Sequence, residues 1–205
     1  MSILFSVTDL ECVRSDRVLF SGLSFDLKPG EVLRIAGQNG SGKTSLLRIL
    51  CGLSQPESGS VKWNGRDIHE LDDEYLSQVS YVGHQNGIKK LLTPIENLQL
   101  TGQLFKNSNG CSPGQALSEF GLAGSENIQA GKLSTGQQRR VALARLLISK
   151  TSLWILDEPF TSIDDVGRQY LVSVLQAHVE NQGILILVSH DSITLEFELI
   201  KYLYL

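Results

Sequence analysis

The sequence predicts an α/β fold, one domain over residues 2–205 with a helical part inserted in it, and three observations carry that prediction. Gly37-Gln38-Asn39-Gly40-Ser41-Gly42-Lys43-Thr44 fits the phosphate-binding pattern G-x-x-x-x-G-K-[ST] at every fixed position, between a short apolar run and an amphipathic stretch. Two later runs, Leu153-Trp154-Ile155-Leu156 and Ile184-Leu185-Ile186-Leu187-Val188, have the continuous apolar character of parallel strands covered on both faces. Between the loop and those runs, from residue 88 to about 133, the spacing changes to that of short amphipathic helices.

In chain order, the first 30 residues alternate apolar and polar positions, as in Leu19-Phe20-Ser21-Gly22-Leu23-Ser24-Phe25-Asp26-Leu27, and read as half-buried strands ending at the turn Lys28-Pro29-Gly30. Val32-Leu33-Arg34-Ile35-Ala36 reads as a buried strand feeding the glycine-rich loop. Leu46, Leu47, Ile49, Leu50 and Leu53 give the following helix its apolar face, and Gly52 and Pro56 stop it. Pro56-Glu57-Ser58-Gly59-Ser60 leads into Val61-Lys62-Trp63, and Asn64-Gly65 signals a hairpin before Arg66-Asp67-Ile68. Tyr81-Val82-Gly83 is a core strand that runs out at His84-Gln85. The helical part is broken at Thr93-Pro94, Asn107-Ser108-Asn109-Gly110 and Ser112-Pro113-Gly114 before the two parallel-strand runs return.

Composition narrows the function. At 205 residues and 41% hydrophobic content the chain can bury the core of one α/β domain. A net charge of −4 without a basic stripe disfavours a nucleic-acid binder. Cys12, Cys51 and Cys111 are scattered, odd in number and without C-x-x-C spacing, so they read as reduced thiols and neither a disulfide framework nor a metal site. Met1-Ser2-Ile3-Leu4-Phe5 lacks the basic flank and long apolar region of a secretory signal. The run from 184 to 188 is about a third of a bilayer crossing or less.

The loop is a nucleotide site by its chemistry. Gly37, Gly40 and Gly42 let the backbone curl around an anion, with Gln38, Asn39 and Ser41 between them, and the helix behind aims its positive end at the same spot. Lys43 adds a point charge for the outer phosphates, and the Thr44 hydroxyl suits a Mg²⁺ that bridges them. Asp157-Glu158-Pro159 follows a buried strand directly, at the end of the sheet where ligands of parallel sheets sit. There Asp157 is placed to hold Mg²⁺, and Glu158 to orient and polarise an attacking water. His190 ends the next strand in the same way and is placed to contact the γ-phosphate. Taken alone, Asp-Glu-Pro is also a strand-end turn and a lone His also a structural residue; Lys43 on the same sheet favours the catalytic reading. Leu133-Ser134-Thr135-Gly136-Gln137 opens a long helix, with Ser134 and Gln137 spaced as a capping box. Gly136 exceeds what a cap requires, which predicts a close approach to the backbone there and a second anion site at Ser134, Gly136 and Gln137.

The order of phosphate loop, Gln85, Leu-Ser-Thr-Gly-Gln, Asp157-Glu158, Thr161-Ser162-Ile163-Asp164 and His190 resembles the ATP-binding cassette (ABC) family over essentially the whole chain. The resemblance implies a P-loop NTPase fold with an N-terminal antiparallel β-subdomain and a helical subdomain at about residues 86–135. It implies ATP and Mg²⁺ as ligands, and a homodimer in which each ATP lies between the phosphate loop of one copy and Ser134, Gly136 and Gln137 of the other. It makes Gln85 the loop residue that touches Mg²⁺ and links it to the partner, and puts Asp164 in the segment crossing the dimer seam. Two positions depart from the family pattern. Thr135 stands where a second glycine is usual, and Cys12-Val13-Arg14-Ser15-Asp16-Arg17 holds no aromatic to stack on adenine, which leaves the guanidinium of Arg14 or Arg17 for that role.

Within the family, residues 19–25, 83–89, 92–98, 137–146 and 153–164 are similar to the ATP-binding subunits of cytochrome c maturation systems. That likeness implies integral membrane partners, a peripheral place on the cytoplasmic face of the bacterial inner membrane, and work that drives haem export or releases a haem-loaded chaperone. No C-x-x-C-H or other haem-ligand pair is present, so haem would be held by other subunits. Three alternatives are another ABC exporter, a soluble ABC protein of DNA repair or ribosomes, and a nucleotide sensor. The second lacks its coiled-coil insertion, duplicated cassette or basic arm, and the third has no need of Asp157, Glu158 and His190.

Overall fold

The computed structural model describes residues 5–105, 111–189, 197 and 199–205. Strands β1 (Phe5–Arg14) and β2 (Arg17–Leu27) form a hairpin whose turn residues Ser15 and Asp16 both have positive φ. Strand β3 (Val32–Ala36) leads through the glycine-rich loop into helix α1 (Lys43–Leu50). Strands β4 (Ser58–Trp63) and β5 (Arg66–Asp67) make the Asn64-Gly65 hairpin, with φ 53 and 80 at the two turn residues. That is the left-handed pair the sequence signal requires. Two single-turn helices, α2 (Ile68–Leu71) and α3 (Asp73–Leu76), precede strand β6 (Val79–Val82). The helical part holds α4 (Pro94–Leu104), α5 (Pro113–Glu119) and the start of α6 (Thr135–Ser149). Strand β7 (Leu153–Asp157), helix α7 (Asp165–Glu180), strand β8 (Ile184–Val188) and strand β9 (Ile200–Tyr204) complete the described chain.

The strands fall into two sheets. An antiparallel sheet runs β2-β1-β4-β5, and a parallel sheet runs β6-β7-β8-β3-β9. Alternation along β7 explains the layering. Leu153 and Ile155 enter one core with α1, Phe5, Val61 and Trp63, while Trp154 and Leu156 enter the other with Leu98, Leu143 and Leu175 of the helices. The parallel sheet is therefore covered by α1 and the antiparallel sheet on one side, and by α4–α7 on the other. Each fully buried aliphatic chain in β7 and β8 contributes about 1.5–3 kcal/mol of burial free energy.

The register aligns the ends of three strands. Ile35 pairs with Val188, and Val188 with Asp157, so the loop after β3 and the carboxylates after β7 emerge side by side. At the opposite end of β7, Trp154 stacks on His178 of α7 with ring centroids 3.8 Å apart and planes 4° from parallel. The imidazole lies over Gly183, where an added Cβ would stand 2.2 Å from it. Burial pushes its pKa down to about 4, so His178 is a neutral packing residue near pH 7.

Two local expectations differ from the structure. Leu53, expected on the apolar face of the first helix, lies beyond α1 and is 51% exposed, because Gly52 already turns the chain at φ 74. Thr93-Pro94 and Ser112-Pro113 are starts more than breaks: Thr93 and Ser112 are N-caps, and each proline occupies the first turn, where its missing N–H costs nothing. The break at 107–110 lies outside the described residues.

Candidate active site

Glycine is required at both ends of the loop. A Cβ on Gly37 would stand 2.5 Å from the Leu205 carbonyl oxygen and 2.8 Å from Ser41 Oγ; one on Gly42, at φ 103, would meet the Leu19 and Phe20 side chains at 3.0 and 3.2 Å. No side chain caps α1 at Gly42, and the first-turn N–H groups of a helix have no carbonyl partner inside it. Lys43 reaches back over the loop, its Nζ donating to Gly37 O at 2.7 Å and to Gln38 O at 2.9 Å, and the residue is 9% exposed. A lysine ammonium laid over a glycine-rich loop at a helix N-terminus is the arrangement that holds a polyphosphate.

Across the sheet, the Thr44 hydroxyl donates to Asp157 Oδ2 at 2.9 Å. Asp157 is the last residue of β7 and is buried. Two hard oxygen donors meeting beside a phosphate cradle suit Mg²⁺, which takes few protein ligands and fills its shell with water and phosphate oxygens. Among the described residues no group of three or more His, Cys, Asp or Glu is placed to hold a metal ion. Glu158 turns the chain at φ 49, a left-handed conformation that costs a non-glycine residue about 1 kcal/mol or more. Its N–H donates to Val188 O at 2.9 Å and its carbonyl accepts from Thr161 N at 3.2 Å. A cavity of about 510 Å³ is lined by Asn39, Gly40, Gly42, Lys43, Thr44 and Ser45 of the loop and α1, by Asp157, Glu158 and Thr161 after β7, and by Leu19, His84 and Val188.

The segment before α6 forms the expected cap. Ser134 Oγ accepts from Gln137 N at 3.2 Å, and Gln137 Oε1 accepts from Ser134 N at 3.0 Å. The close approach expected at Gly136 is present. The group that approaches its backbone belongs to the same chain: a Cβ there would stand 2.6 Å from the Ser162 carbonyl oxygen. Gly136 is thus explained by packing against the Thr161-Ser162 turn, and its presence alone does not argue for an anion. A smaller cavity of about 170 Å³, lined by Thr135, Arg139, Asn86 and Ser162, shares His84, Glu158 and Thr161 with the larger one.

Arg139, one turn into α6, is 3% exposed, and among the described residues its hydrogen bonds go to neutral oxygens. Nη1 reaches Gly83 O at 2.7 Å and Asn86 Oδ1 at 3.2 Å; Nη2 reaches Asp157 O at 2.9 Å and Glu158 O at 2.8 Å. Burial lowers its pKa, opposed chiefly by the Asp157 carboxylate. Arg145 adds bonds to Asn86 O at 3.1 Å and Gly87 O at 3.3 Å. Asn97 holds the far side of the same loop, accepting from Lys89 N at 2.7 Å and donating to Lys89 O at 3.1 Å. Arg140 pairs with Asp164 at 2.6 Å, and Asp164 caps α7 by accepting from Gly167 N at 2.8 Å. The Gly167 N–H, with Arg140 beside it, holds the Asp164 carboxyl below its ordinary pKa.

Of the sequence candidates, Asn39, Gly40, Gly42, Lys43, Thr44, Asp157 and Glu158 line one cavity. Gln85 is exposed, and its neighbour His84 stands at that cavity in its place. Ser134, Gly136 and Gln137 line neither cavity. His190 lies outside the described residues. Arg14 and Arg17 are exposed at the β1–β2 turn and do not line the cavity, whereas Leu19 does. Sequence reasoning missed Leu19, Arg139 and Thr161. The apolar contact of Leu19 with Gly42 follows from β2 crossing the loop, a tertiary relation with no local signal.

The chain is similar to known proteins over most of its length. Residues 20–161 match the ABC transporter family. The chain is 44% identical to the "Cytochrome c biogenesis ATP-binding export protein CcmA" of Nitrosomonas europaea, over 98% of this chain and 95% of that one. It is 47% identical to the protein of the same name from Vibrio vulnificus, over 92% of each chain, and 47% identical to that of Escherichia coli K12, over 92% of this chain and 89% of the other. Among solved structures, the dimeric post-hydrolysis state of the ATP-binding cassette MJ0796, bound to ADP and Pi, superposes with a TM-score of 0.83 at 26% identity, covering 97% of this chain and 94% of that one.

Proposed function

The chain belongs to the ABC transporter family, and from that premise we propose that it is the ATP-hydrolysing subunit of a cytochrome c biogenesis export complex. The observation that carries the ATPase reading is the convergence of Lys43, Thr44, Asp157 and Glu158 on one cavity at the aligned ends of β3, β7 and β8. The likeness to the CcmA proteins over almost their whole length supports the pathway.

On ATP binding, Lys43 exchanges the Gly37 and Gln38 carbonyls for the outer phosphates, and the loop N–H groups take the remaining oxygens. Thr44 and Asp157, already 2.9 Å apart, would hold Mg²⁺, with Gln85 as a third contact once its loop closes. The ion neutralises charge that builds on the phosphate oxygens. Glu158 orients a water in line with the γ-phosphate and takes its proton, and His190 supports the transferring group. Ser134, Gly136 and Gln137 of a second copy complete the cavity from across the seam, beside Asp164. Closure on ATP and opening after hydrolysis pass through the loop at 83–89 and the helical subdomain to integral membrane subunits, at the cytoplasmic face of the inner membrane. That work powers haem export or frees a haem-loaded chaperone; haem itself is held elsewhere, and nucleic acid has no part. No helix among the described residues is long and apolar enough to cross a membrane, so in this reading membrane attachment depends on those partners.

The test is recovery of the tagged chain from detergent-solubilised membranes. The expected result is co-purification with integral membrane subunits of cytochrome c biogenesis, in a complex that releases phosphate from ATP. Recovery with ribosomes or DNA-repair proteins would remove the transport reading.

A further inference from the structure

We propose that Arg139 is a positioning residue for the hydrolytic step: it clamps the Asp157-Glu158 peptide to the Gly83–Asn86 loop, so that the aim of Glu158 depends on where that loop stands. The inference rests on Glu158 being the base, and it deepens that reading.

The geometry is specific. Nη2 donates to both carbonyls that bracket Glu158, at 2.9 and 2.8 Å, and Nη1 donates to Gly83 O and the Asn86 side chain. The planar guanidinium fixes the two pairs relative to one another, which an ammonium on a flexible stem does not. Glu158 sits in a left-handed conformation that local sequence does not favour, since Glu lacks the freedom of glycine and the short polar side chain of Asn. Such a conformation persists only where its surroundings hold it, and Val188 O, Thr161 N and Arg139 are among the groups that do so. Of these three, Arg139 is the one that also bonds the loop after β6. Its burial among neutral acceptors gives little reason for a charged residue, because a buried cation without a carboxylate partner in hydrogen-bond contact is costly to keep. The clamp supplies that reason. Displacement of the 83–86 loop pulls on a rigid group whose other edge holds the turn carrying the base, a contiguous physical link between the two.

The experiment uses R139K and R139M in the full chain as purified with its membrane subunits, alongside E158Q and the R139K/E158Q and R139M/E158Q doubles. R139K keeps charge and stem but cannot hold both carbonyl pairs in one plane, and it decides the matter if R139M does not fold. The expected result is a kcat lowered about 10-fold in R139K and about 100-fold in R139M, since a misplacement of about 1 Å near the reacting atoms costs that much. ATP affinity should stay within about threefold of the parent. Neither substitution should lower the residual rate of E158Q further, because a residue that acts through Glu158 has nothing left to position. A parental kcat in R139K overturns the proposal, as does an equal proportional loss in the parent and E158Q backgrounds, which would mark a general structural effect. A parental rate in E158Q alone would instead remove the base assignment on which the inference stands.

Discussion

Glu158→Gln is expected to lower ATP turnover by about 10²–10⁴-fold while leaving ATP binding intact. The range is what a positioned general base supplies. Glutamine keeps the length and planarity of the side chain, so the left-handed turn at φ 49 and its bonds to Val188 and Thr161 remain, as does the Arg139 clamp on the flanking carbonyls. What is lost is the carboxylate that accepts the proton of the attacking water. With hydrolysis blocked and binding preserved, ATP should hold two copies together, and the dimer should accumulate on size exclusion in the presence of ATP and Mg²⁺. Phosphate release measured alongside equilibrium ATP binding checks both halves; a parental rate would take Glu158 out of the role of base.

Lys43→Ala should produce the opposite pattern, with binding lost first. Lys43 is 9% exposed, and its ammonium already lies over the phosphate loop, on the carbonyls of Gly37 and Gln38. Removing a buried, hydrogen-bonded charge from its partner costs about 2–5 kcal/mol. The ATP dissociation constant should therefore rise by at least about 30-fold, and no ATP-dependent dimer should form at nucleotide concentrations that saturate the parent. Isothermal titration with ATP is the direct measurement. An unchanged dissociation constant would mean that the loop binds phosphate through its backbone alone.

The parts of this molecule written in local sequence were legible, and the parts written in tertiary contact were not. Strand β3, the loop and α1 announce themselves because an apolar run, three glycines and a helical period follow one another directly. The strands β7 and β8 are legible because burial on both faces forces uninterrupted apolar residues. Helices α2 and α3 have four residues each, too few to show a period, and β9 lies at the sheet edge with both faces only partly covered, by Ile200 on one core and Leu203 on the other, so its pattern is weak. At Gly136 the close approach that the sequence signals is present, and the approaching atom, the Ser162 carbonyl oxygen of the same chain, is a tertiary contact with no local signal. Arg139 reads in the sequence as one more polar residue in Gln138-Arg139-Arg140. Only the fold brings its four acceptors, from segments 18 to 56 residues away, around it.

A single copy is expected to leave the cavity beside Lys43 incomplete, with Ser134, Gly136 and Gln137 of a second copy closing it. The most direct test is the ATPase rate per molecule as the purified chain is diluted through its dimerisation range, with oligomeric state followed by sedimentation in the same buffer. The expected result is a rate per molecule that falls in step with the dimer fraction and approaches zero in the monomer. A verified monomer that hydrolyses ATP at the full rate would contradict it.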